Sequence, residues 1–352
     1  MQSRVEAADV GIGAPSVARI WWRIAPALAA GLYPSFSQAL SQILIAAHAS
    51  ASPDGWALWG GVAGSLVLAF AVMAISFRTV QKSNGADSAD FRARCVAHTA
   101  FATPSLLVAF GNLAGVLHLP AIVSIGWPVF WAVLALLALT PGGMPLRVTR
   151  IGASGYRRLG IAHGISASAI LALFVAPHLT NHTAGIFSGM AHLEFMKTAR
   201  LEYRNGIVQP LLLLLILFQV ASGVTLLQRR LRTAGDFFGN LQTLTGVYVG
   251  MFLLSHLIAV FGARYAGTNT DWNWLTNHDH SMLASLANLR LIGHYWFGPV
   301  AILTHAGCGL RMVLREHAWS PHKADIAPRA AMALGGALST VILLGLLGVH
   351  IG

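Results

Sequence analysis

Long stretches without charged residues alternate with short basic segments along almost the whole chain. The stretches cover residues 24–53, 55–77, 95–146, 159–193, 205–228, 237–263, 291–310 and 330–352. About 20 apolar residues cross a bilayer as an α-helix, so most of these stretches predict one transmembrane helix. The 52-residue stretch 95–146 predicts two helices, separated near Pro120, because proline disfavours helix at the residue before it.

The pattern therefore predicts an all-α, polytopic integral membrane protein with about nine transmembrane helices. The first predicted span is the least apolar, because it contains Pro34, Gln38 and Gln42. The predicted spans are approximately 24–49, 56–77, 96–117, 121–140, 159–181, 206–228, 240–262, 293–313 and 330–350.

The composition agrees with a membrane location, since 55% of the residues are hydrophobic and only 10% are charged. A soluble domain has roughly a quarter of its residues charged. The polar segments 182–204, 263–292 and 314–329 are too short to form soluble domains. Because the sequence contains neither a phosphate-binding loop nor a dinucleotide-binding motif, we expect any soluble redox or catalytic partner to be on another chain.

The basic residues predict the orientation, because cytoplasmic loops of membrane proteins are enriched in lysine and arginine. With the N-terminus inside and nine spans, 18 of the 23 basic residues fall on the inner side and the C-terminus lies outside. The net charge of +11 thus belongs mainly to the inner surface and requires no nucleic-acid partner. We expect the bilayer to be a bacterial cytoplasmic membrane. The five basic residues predicted on the outer side are Lys197, Arg200, Arg204, Arg264 and Arg290.

Two histidines lie deep in apolar stretches and at similar predicted depth. His178 and His256 each follow the last flanking charge, Arg158 or Asp236, by 20 residues. An ionisable side chain within the bilayer indicates a functional site. Haem iron takes imidazole ligands axially, so two histidines at one level on separate helices predict a haem between them. His182 lies one turn after His178 on the same helix face and is an alternative ligand.

A third histidine, His305, lies closer to the inner surface, ten residues before Arg315. The equivalent depth on the span 206–228 holds Gln219, which is a poor haem ligand. A haem at this inner level requires His163 or His98 as its second ligand, and otherwise we expect weak or high-spin binding. A buried histidine can instead stabilise helix packing through a hydrogen bond, which is the alternative for each of these residues.

The motifs around these histidines resemble those of the dihaem cytochrome b membrane subunit of succinate dehydrogenases and fumarate reductases. Thr245-Gly246 precedes His256 by the interval of that family, and Ser168 precedes His178 by the same ten residues. The segment from His305 to Leu310 is similar to the family's His-x-x-x-Gly-Leu pattern.

The resemblance covers about residues 158–315 and implies a four-helix bundle that binds haem b. We expect one low-spin haem, between His178 and His256, with two haems as the alternative. It implies that His178 and His256 bind the iron of the outer haem and that His305 binds the iron of an inner haem. Gln219 departs from the family at the position of the remaining inner ligand. The chain then divides into an N-terminal membrane region (1–157), the haem bundle (158–315) and a C-terminal helix (316–352).

The expected function is electron transfer between a quinone pool and a partner subunit, as the membrane cytochrome b subunit of an oxidoreductase complex. Redox sensing or anchoring of a partner through the haem is a variant of the same prediction. The alternative from another class is a histidine-lined transporter or channel for protons or a transition metal. Residues expected to support the haem are Ser255, Thr180 and Asn181, with Arg200, Arg204 and Arg264 as propionate partners.

Overall fold

The computed structural model describes residues 17–50, 55–83, 88–140, 151–276, 283 and 285–351, and within these the chain is helical and has no strand. Its α-helices are α1 (Val17–Ser50), α2 (Trp56–Lys82), α3 (Ser88–Phe101), α4 (Thr103–Leu117), α5 (Trp127–Leu139), α6 (Ala153–Ile170), α7 (Ala176–Ala184), α8 (Gly189–Tyr203), α9 (Val208–Arg230), α10 (Phe237–Tyr265), α11 (Trp272–Thr276), α12 (Arg290–Glu316), α13 (Pro321–Ala324) and α14 (Ile326–Leu346).

The protein is an integral membrane protein, since seven helical segments of the described chain are long and apolar enough to cross a bilayer. They include α2, α9, α10 and α12, together with the segments 122–139, 153–184 and 321–346. The pair α3 and α4 passes the same test together but bends by 70° between Phe101 and Thr103. A helix therefore corresponds to every span predicted from the sequence, although nine crossings are not established.

The first predicted span is where the apolar pattern was weakest. It forms one continuous helix, α1, of 34 residues, which does not count among the seven apolar crossing helices. Pro26 and Pro34 both lie inside α1. Residues 1–16, on which the predicted orientation of the N-terminus partly depends, lie outside the described residues.

Two of the membrane helices contain a π-helical turn directly before a proline. Residues Leu171–Val175 join α6 to α7 ahead of Pro177, and residues Ile122–Gly126 lead into α5 ahead of Pro128. Proline lacks an N–H group and its ring clashes with the carbonyl four residues earlier. A wider turn at this point relieves the clash while the helix continues.

The main hydrophobic core combines helices from both halves of the sequence. Buried side chains of α1 to α5 pack with Leu244 and Tyr248 of α10 and with Phe297 and Ala301 of α12. The core thus continues across the predicted boundary between residues 157 and 158. Helix α6 packs against α9, and this pair lies opposite α10 and α12.

An ion-pair cluster fixes the predicted inner ends of three helices. Arg311 of α12 donates hydrogen bonds to Asp236, which precedes α10, and to Asp325, which precedes α14, both at 2.6 Å. Asp236 also caps α10 by accepting from the backbone N–H of Gly239 at 2.7 Å. Burial alone would raise the pKa of Asp236, but its hydrogen bonds to Arg311 and Gly239 hold the pKa below its ordinary value.

Candidate functional site

The structure brings His178 of α7 and His256 of α10 together in an edge-on ring contact; we call them the outer pair. Their ring centroids are 6.0 Å apart and their planes are inclined by 72°. A metal–imidazole nitrogen bond is about 2.0–2.1 Å long, so two imidazoles on opposite sides of one metal ion have centroids roughly 6 Å apart. The spacing of the outer pair therefore suits two axial ligands of a single iron.

Aromatic rings hold the two outer imidazoles in place. Phe174, one turn before His178, stacks on it at 5.0 Å with an interplanar angle of 17°. Phe252, one turn before His256, stacks on it at 5.7 Å with an angle of 10°. Within the described residues neither imidazole has a hydrogen-bond partner, so packing against neighbouring rings orients them.

A second pair consists of His163 of α6 and His305 of α12; we call it the inner pair. The ring centroids are 6.3 Å apart and the planes are inclined by 82°. The other candidate for this level, His98, lies elsewhere: its Nδ1 contacts the carbonyl of Arg94 at 2.7 Å and its Nε2 contacts Thr243 at 2.9 Å. Of the two possible partners for His305, only His163 is thus placed to act as one.

Hydrogen bonds fix the tautomers of the inner pair. His305 donates from Nδ1 to the backbone carbonyl of Gln242 at 2.9 Å. The hydroxyl of Ser222 donates to the carbonyl of Phe218 at 2.6 Å, so it accepts from Nδ1 of His163 at 2.7 Å. Both inner imidazoles therefore keep the lone pair of Nε2 free, as metal-ligating histidines do.

Glycines allow the helices to accommodate these rings. A Cβ atom at Gly246 would lie 2.8 Å from Cε1 of His305, which is closer than real Cβ contacts permit. A Cβ at Gly223 of α9 would lie at ordinary contact distance, 3.5 Å, from Cε1 of His163. Gly246 is the glycine of the Thr-Gly motif, and its role in the structure is to make room for His305.

Gln219, which departs from the family pattern, forms hydrogen bonds to the helix that carries His163. Its side-chain amide donates to the backbone carbonyl of His163 at 2.8 Å and also contacts the hydroxyl of Ser166. The residue at the position where the family has a ligand therefore forms hydrogen bonds to α6, the helix that carries His163.

The donor set suits haem better than a bare metal ion. No three histidine, cysteine, aspartate or glutamate side chains of the described chain come together in a way that could hold a metal ion. A porphyrin supplies four nitrogen ligands of its own and needs only the two axial positions from the protein. Two facing imidazoles at each level meet this requirement.

His182 extends the outer pair toward the predicted outer surface. Its ring lies 4.6 Å from that of His178 and 5.3 Å from that of His192 of α8. Asn181 donates to Nε2 of His192 at 3.1 Å, and Trp272 packs on the other side of this imidazole. Burial, assisted by the charge of Arg200, lowers the pKa of His192 to about 4.

The remaining predicted supporting residues have other partners. Ser255 and Thr180 donate to carbonyls of their own helices. Arg200 and Arg204 bind Asn269 and Thr270 in the loop after α10, and Arg264 contacts Gln209. The contacts of Arg200 and Arg204 tie the end of α8 to the loop after α10, and the contact of Arg264 ties α10 to α9.

Sequence reasoning missed Ser222 and His192. Ser222 lies on the largely apolar span α9, and a single serine in such a span does not by itself indicate a site. His192 lies beyond the predicted span 159–181, where the sequence does not distinguish a buried histidine from a loop residue. Comparison of the chain with protein-family models, curated proteins and solved structures finds no match.

Proposed function

We propose that this protein is a membrane cytochrome of the b type that binds two haems, one at the outer pair and one at the inner pair. The observation that carries the proposal is the presence of two facing histidine pairs, with centroids 6.0 and 6.3 Å apart, on the same two layers of helices. One such pair is also compatible with packing. Two pairs with the same spacing at different depths favour paired haem sites.

The two levels are separated along the membrane normal. His163 and His178 are 15 residues apart on one helical segment. On α10, Gly246, which contacts His305, is ten residues before His256. At 1.5 Å per residue the levels are about 15–22 Å apart. Electrons that enter at one surface would thus cross most of the bilayer by way of the two sites.

Haem, when bound, supplies reversible one-electron redox chemistry at the iron. The chain's own residues would hold it: the four imidazoles would ligate the iron. Ser222 and the carbonyl of Gln242 fix the tautomers of the inner rings, and Phe174 and Phe252 pack on the outer rings. The surrounding apolar helices exclude water, which stabilises neutral imidazoles.

We further propose a quinone as the membrane partner and a soluble subunit at the basic inner surface as the other. The inner ends of the helices carry an excess of arginine, which suits an acidic protein surface. A haem-based sensor or anchor would use the same two sites, and only the partner would differ.

Haem quantitation per polypeptide, combined with reduced-minus-oxidised spectra of the purified full-length protein, tests the proposal. We expect about two haems, falling to about one in His256→Ala and in His305→Ala. His317→Ala is the matched control, because His317 is exposed and hydrogen-bonds only within its own helix end.

Absence of a low-spin b-type spectrum after haem-replete expression would contradict the proposal. A histidine-lined transporter for protons or a transition metal would then be the better explanation of the two pairs. Retention of two haems in His305→Ala would contradict the inner site alone.

A further inference from the structure

We infer that one exposed face of α1 is the contact surface between two copies of this chain in the membrane. The face carries Ser35, Gln38, Gln42 and Ile45, which we call the α1 seam. All four residues are exposed, and within the described part of the chain neither glutamine has a hydrogen-bond partner. The inference does not depend on haem, and it goes beyond the proposed function because it concerns how the membrane helices assemble.

The α1 seam lies at the depth of the lipid hydrocarbon. At the inner end of α1, Thr79 of α2 donates to the carbonyl of Trp22 at 3.0 Å. Toward the other end, Leu40 packs over Gly64 of α2, where a Cβ atom would lie 2.8 Å from Cδ2 of Leu40. Gly64 is eight residues after the start of α2, which is about 12 Å inside the outer end of that crossing helix. Gln38, half a turn before Leu40, is therefore inside the hydrocarbon layer.

Lipid tails cannot satisfy the polar groups of this face. A carboxamide has two donor hydrogens and one acceptor oxygen, and leaving them without partners in a bilayer is costly. The large residues that the neighbouring helix α2 exposes at this depth are apolar, namely Val67 at 67% and Phe70 at 64%. The two glutamines thus interrupt an apolar surface. Glutamine side chains in membranes form hydrogen bonds between helices, so another helix is expected to cover the α1 seam.

The spacing of the α1 seam fits a parallel pair of identical helices. Its members are separated by three, four and three residues, which is the seam pattern of left-handed helix pairs. Two copies in one membrane orientation are related by a two-fold axis along the membrane normal, so each seam residue meets its own counterpart. An amide both donates and accepts, so Gln38 and Gln42 can each pair with the same residue of the second copy. Ser35 is small enough to let the two backbones approach closely.

Disulfide cross-linking of the purified full-length protein in liposomes tests this contact. With Cys95 and Cys308 replaced by alanine, Ser35→Cys should form a covalent dimer on oxidation, because cysteines that meet across the axis come within disulfide distance. Phe36→Cys is the matched control, since Phe36 is exposed but is turned by about 100° from Ser35 around the helix. We expect it to stay monomeric. Cross-linking of Phe36→Cys as efficient as that of Ser35→Cys, or of neither, would overturn the inference.

Energy transfer between separately labelled copies, measured as the liposomes are diluted with lipid, gives the affinity of the dimer. The double variant Gln38→Leu, Gln42→Leu should raise the dissociation constant about tenfold, the size expected for two hydrogen bonds between membrane helices. Asparagine at both positions keeps the amides and should restore part of this affinity. Ser168→Leu is the control, because Ser168 is exposed on α6 and bonds only to the carbonyl of Gly164.

An unchanged dissociation constant in the double leucine variant would overturn the inference, as would a wild-type protein that stays monomeric at every dilution. If the pure protein is monomeric but a different membrane protein cross-links to Ser35→Cys in cells, the α1 seam binds a foreign helix and the inference is wrong. Haem content should be the same in all these variants. Failure of the haem proposal therefore leaves this result unaffected.

Discussion

At the scale of single residues, the inner pair depends on the absence of a Cβ atom at Gly246. Nδ1 of His305 is held by the carbonyl of Gln242, and its ring lies over the bare backbone of Gly246. The imidazole cannot retreat from a side chain at position 246 without losing that hydrogen bond. Position 246 is therefore a steric determinant of where His305 can lie.

Replacement of Gly246 by alanine should displace His305 and empty the inner site. Overpacking costs about 1–3 kcal/mol, so haem affinity there should fall roughly tenfold to a hundredfold. Haem content per polypeptide should drop from near two to near one, with the outer spectrum retained. Gly111→Ala in α4 is the control, since a Cβ there meets nothing within 4 Å, and equal losses in both variants would refute the steric explanation.

His192 gives the outer end of the molecule a pH dependence. Its pKa in the folded protein is about 4, because burial disfavours the cation, and the ordinary value is about 6.5. The stability that comes from keeping this imidazole neutral is complete above pH 6.5 and declines as the pH falls toward 4. By pH 5 the loss should be about 2 kcal/mol.

Thermal unfolding in detergent at pH 7.5 and pH 5 measures this effect. His192→Gln offers Asn181 an acceptor but does not titrate, so its midpoint should fall less than that of the wild type. The comparison removes the contribution of the other buried histidines, which both proteins share. Parallel pH profiles for the two proteins would show that His192 is not the source.

At the scale of elements, the π turn Leu171–Val175 lies between His163 and His178 and affects the directions in which these two side chains point. In this turn the N–H of Ala176 donates to the carbonyl of Leu171, five residues earlier. A five-residue turn contains one residue more than an α-helical turn. His163 before it and His178 after it both meet histidines of the α10 and α12 layer.

Deletion of Ala172 alone should convert the π turn to a regular α-helix and preserve the direction in which the His178 side chain points. Deletion of both Leu171 and Ala172 should rotate His178 by about 100°, because one residue of an α-helix turns by that angle. We expect two haems in the single-deletion protein and only the inner haem in the double-deletion protein. Two haems in both would show that the π turn does not set the register.

The helices themselves could be predicted from the sequence, because each apolar stretch is long and bounded by charges. The boundaries of α9 and α10 follow the predicted spans within a few residues. The 70° bend between α3 and α4 was not predicted. The break in the stretch 95–146 was expected near Pro120, whereas the bend falls at Ala102, two residues before Pro104. The π turns depend on how the backbone adapts to Pro177 and Pro128, which hydrophobicity alone does not encode.

At the scale of the whole molecule, depth counted along straight helices correctly paired His178 with His256. The same count underestimated the depth of His163 relative to His305. Counting residues from the nearest arginine placed His163 about 8 Å nearer the surface than His305. The structure nevertheless brings the two rings within 6.3 Å. Membrane helices commonly tilt by about 20°, so residues at unequal counted depth can meet. Such tilts are set by packing between helices, which the sequence of one helix does not reveal.

The contacts between helices also show which helix ends lie together at each face of the molecule. The backbone N–H of Ile351 donates to the carbonyl of Ile186, so the end of α14 lies beside the turn between α7 and α8. Asp236, Arg311 and Asp325 meet at the other end of the bundle. The positive-inside rule predicts that this second face is cytoplasmic, because arginines are concentrated there.

Cysteine labelling in intact cells tests this orientation. In a protein with Cys95 and Cys308 replaced by alanine, Leu201→Cys and Ile351→Cys should react with a membrane-impermeant maleimide from outside. These positions are 78% and 58% exposed. Thr233→Cys, between α9 and α10, should react only after permeabilisation. Reaction of Thr233→Cys alone from outside would invert the orientation, whereas opposite results for Leu201→Cys and Ile351→Cys would contradict the packing of α14 beside α7.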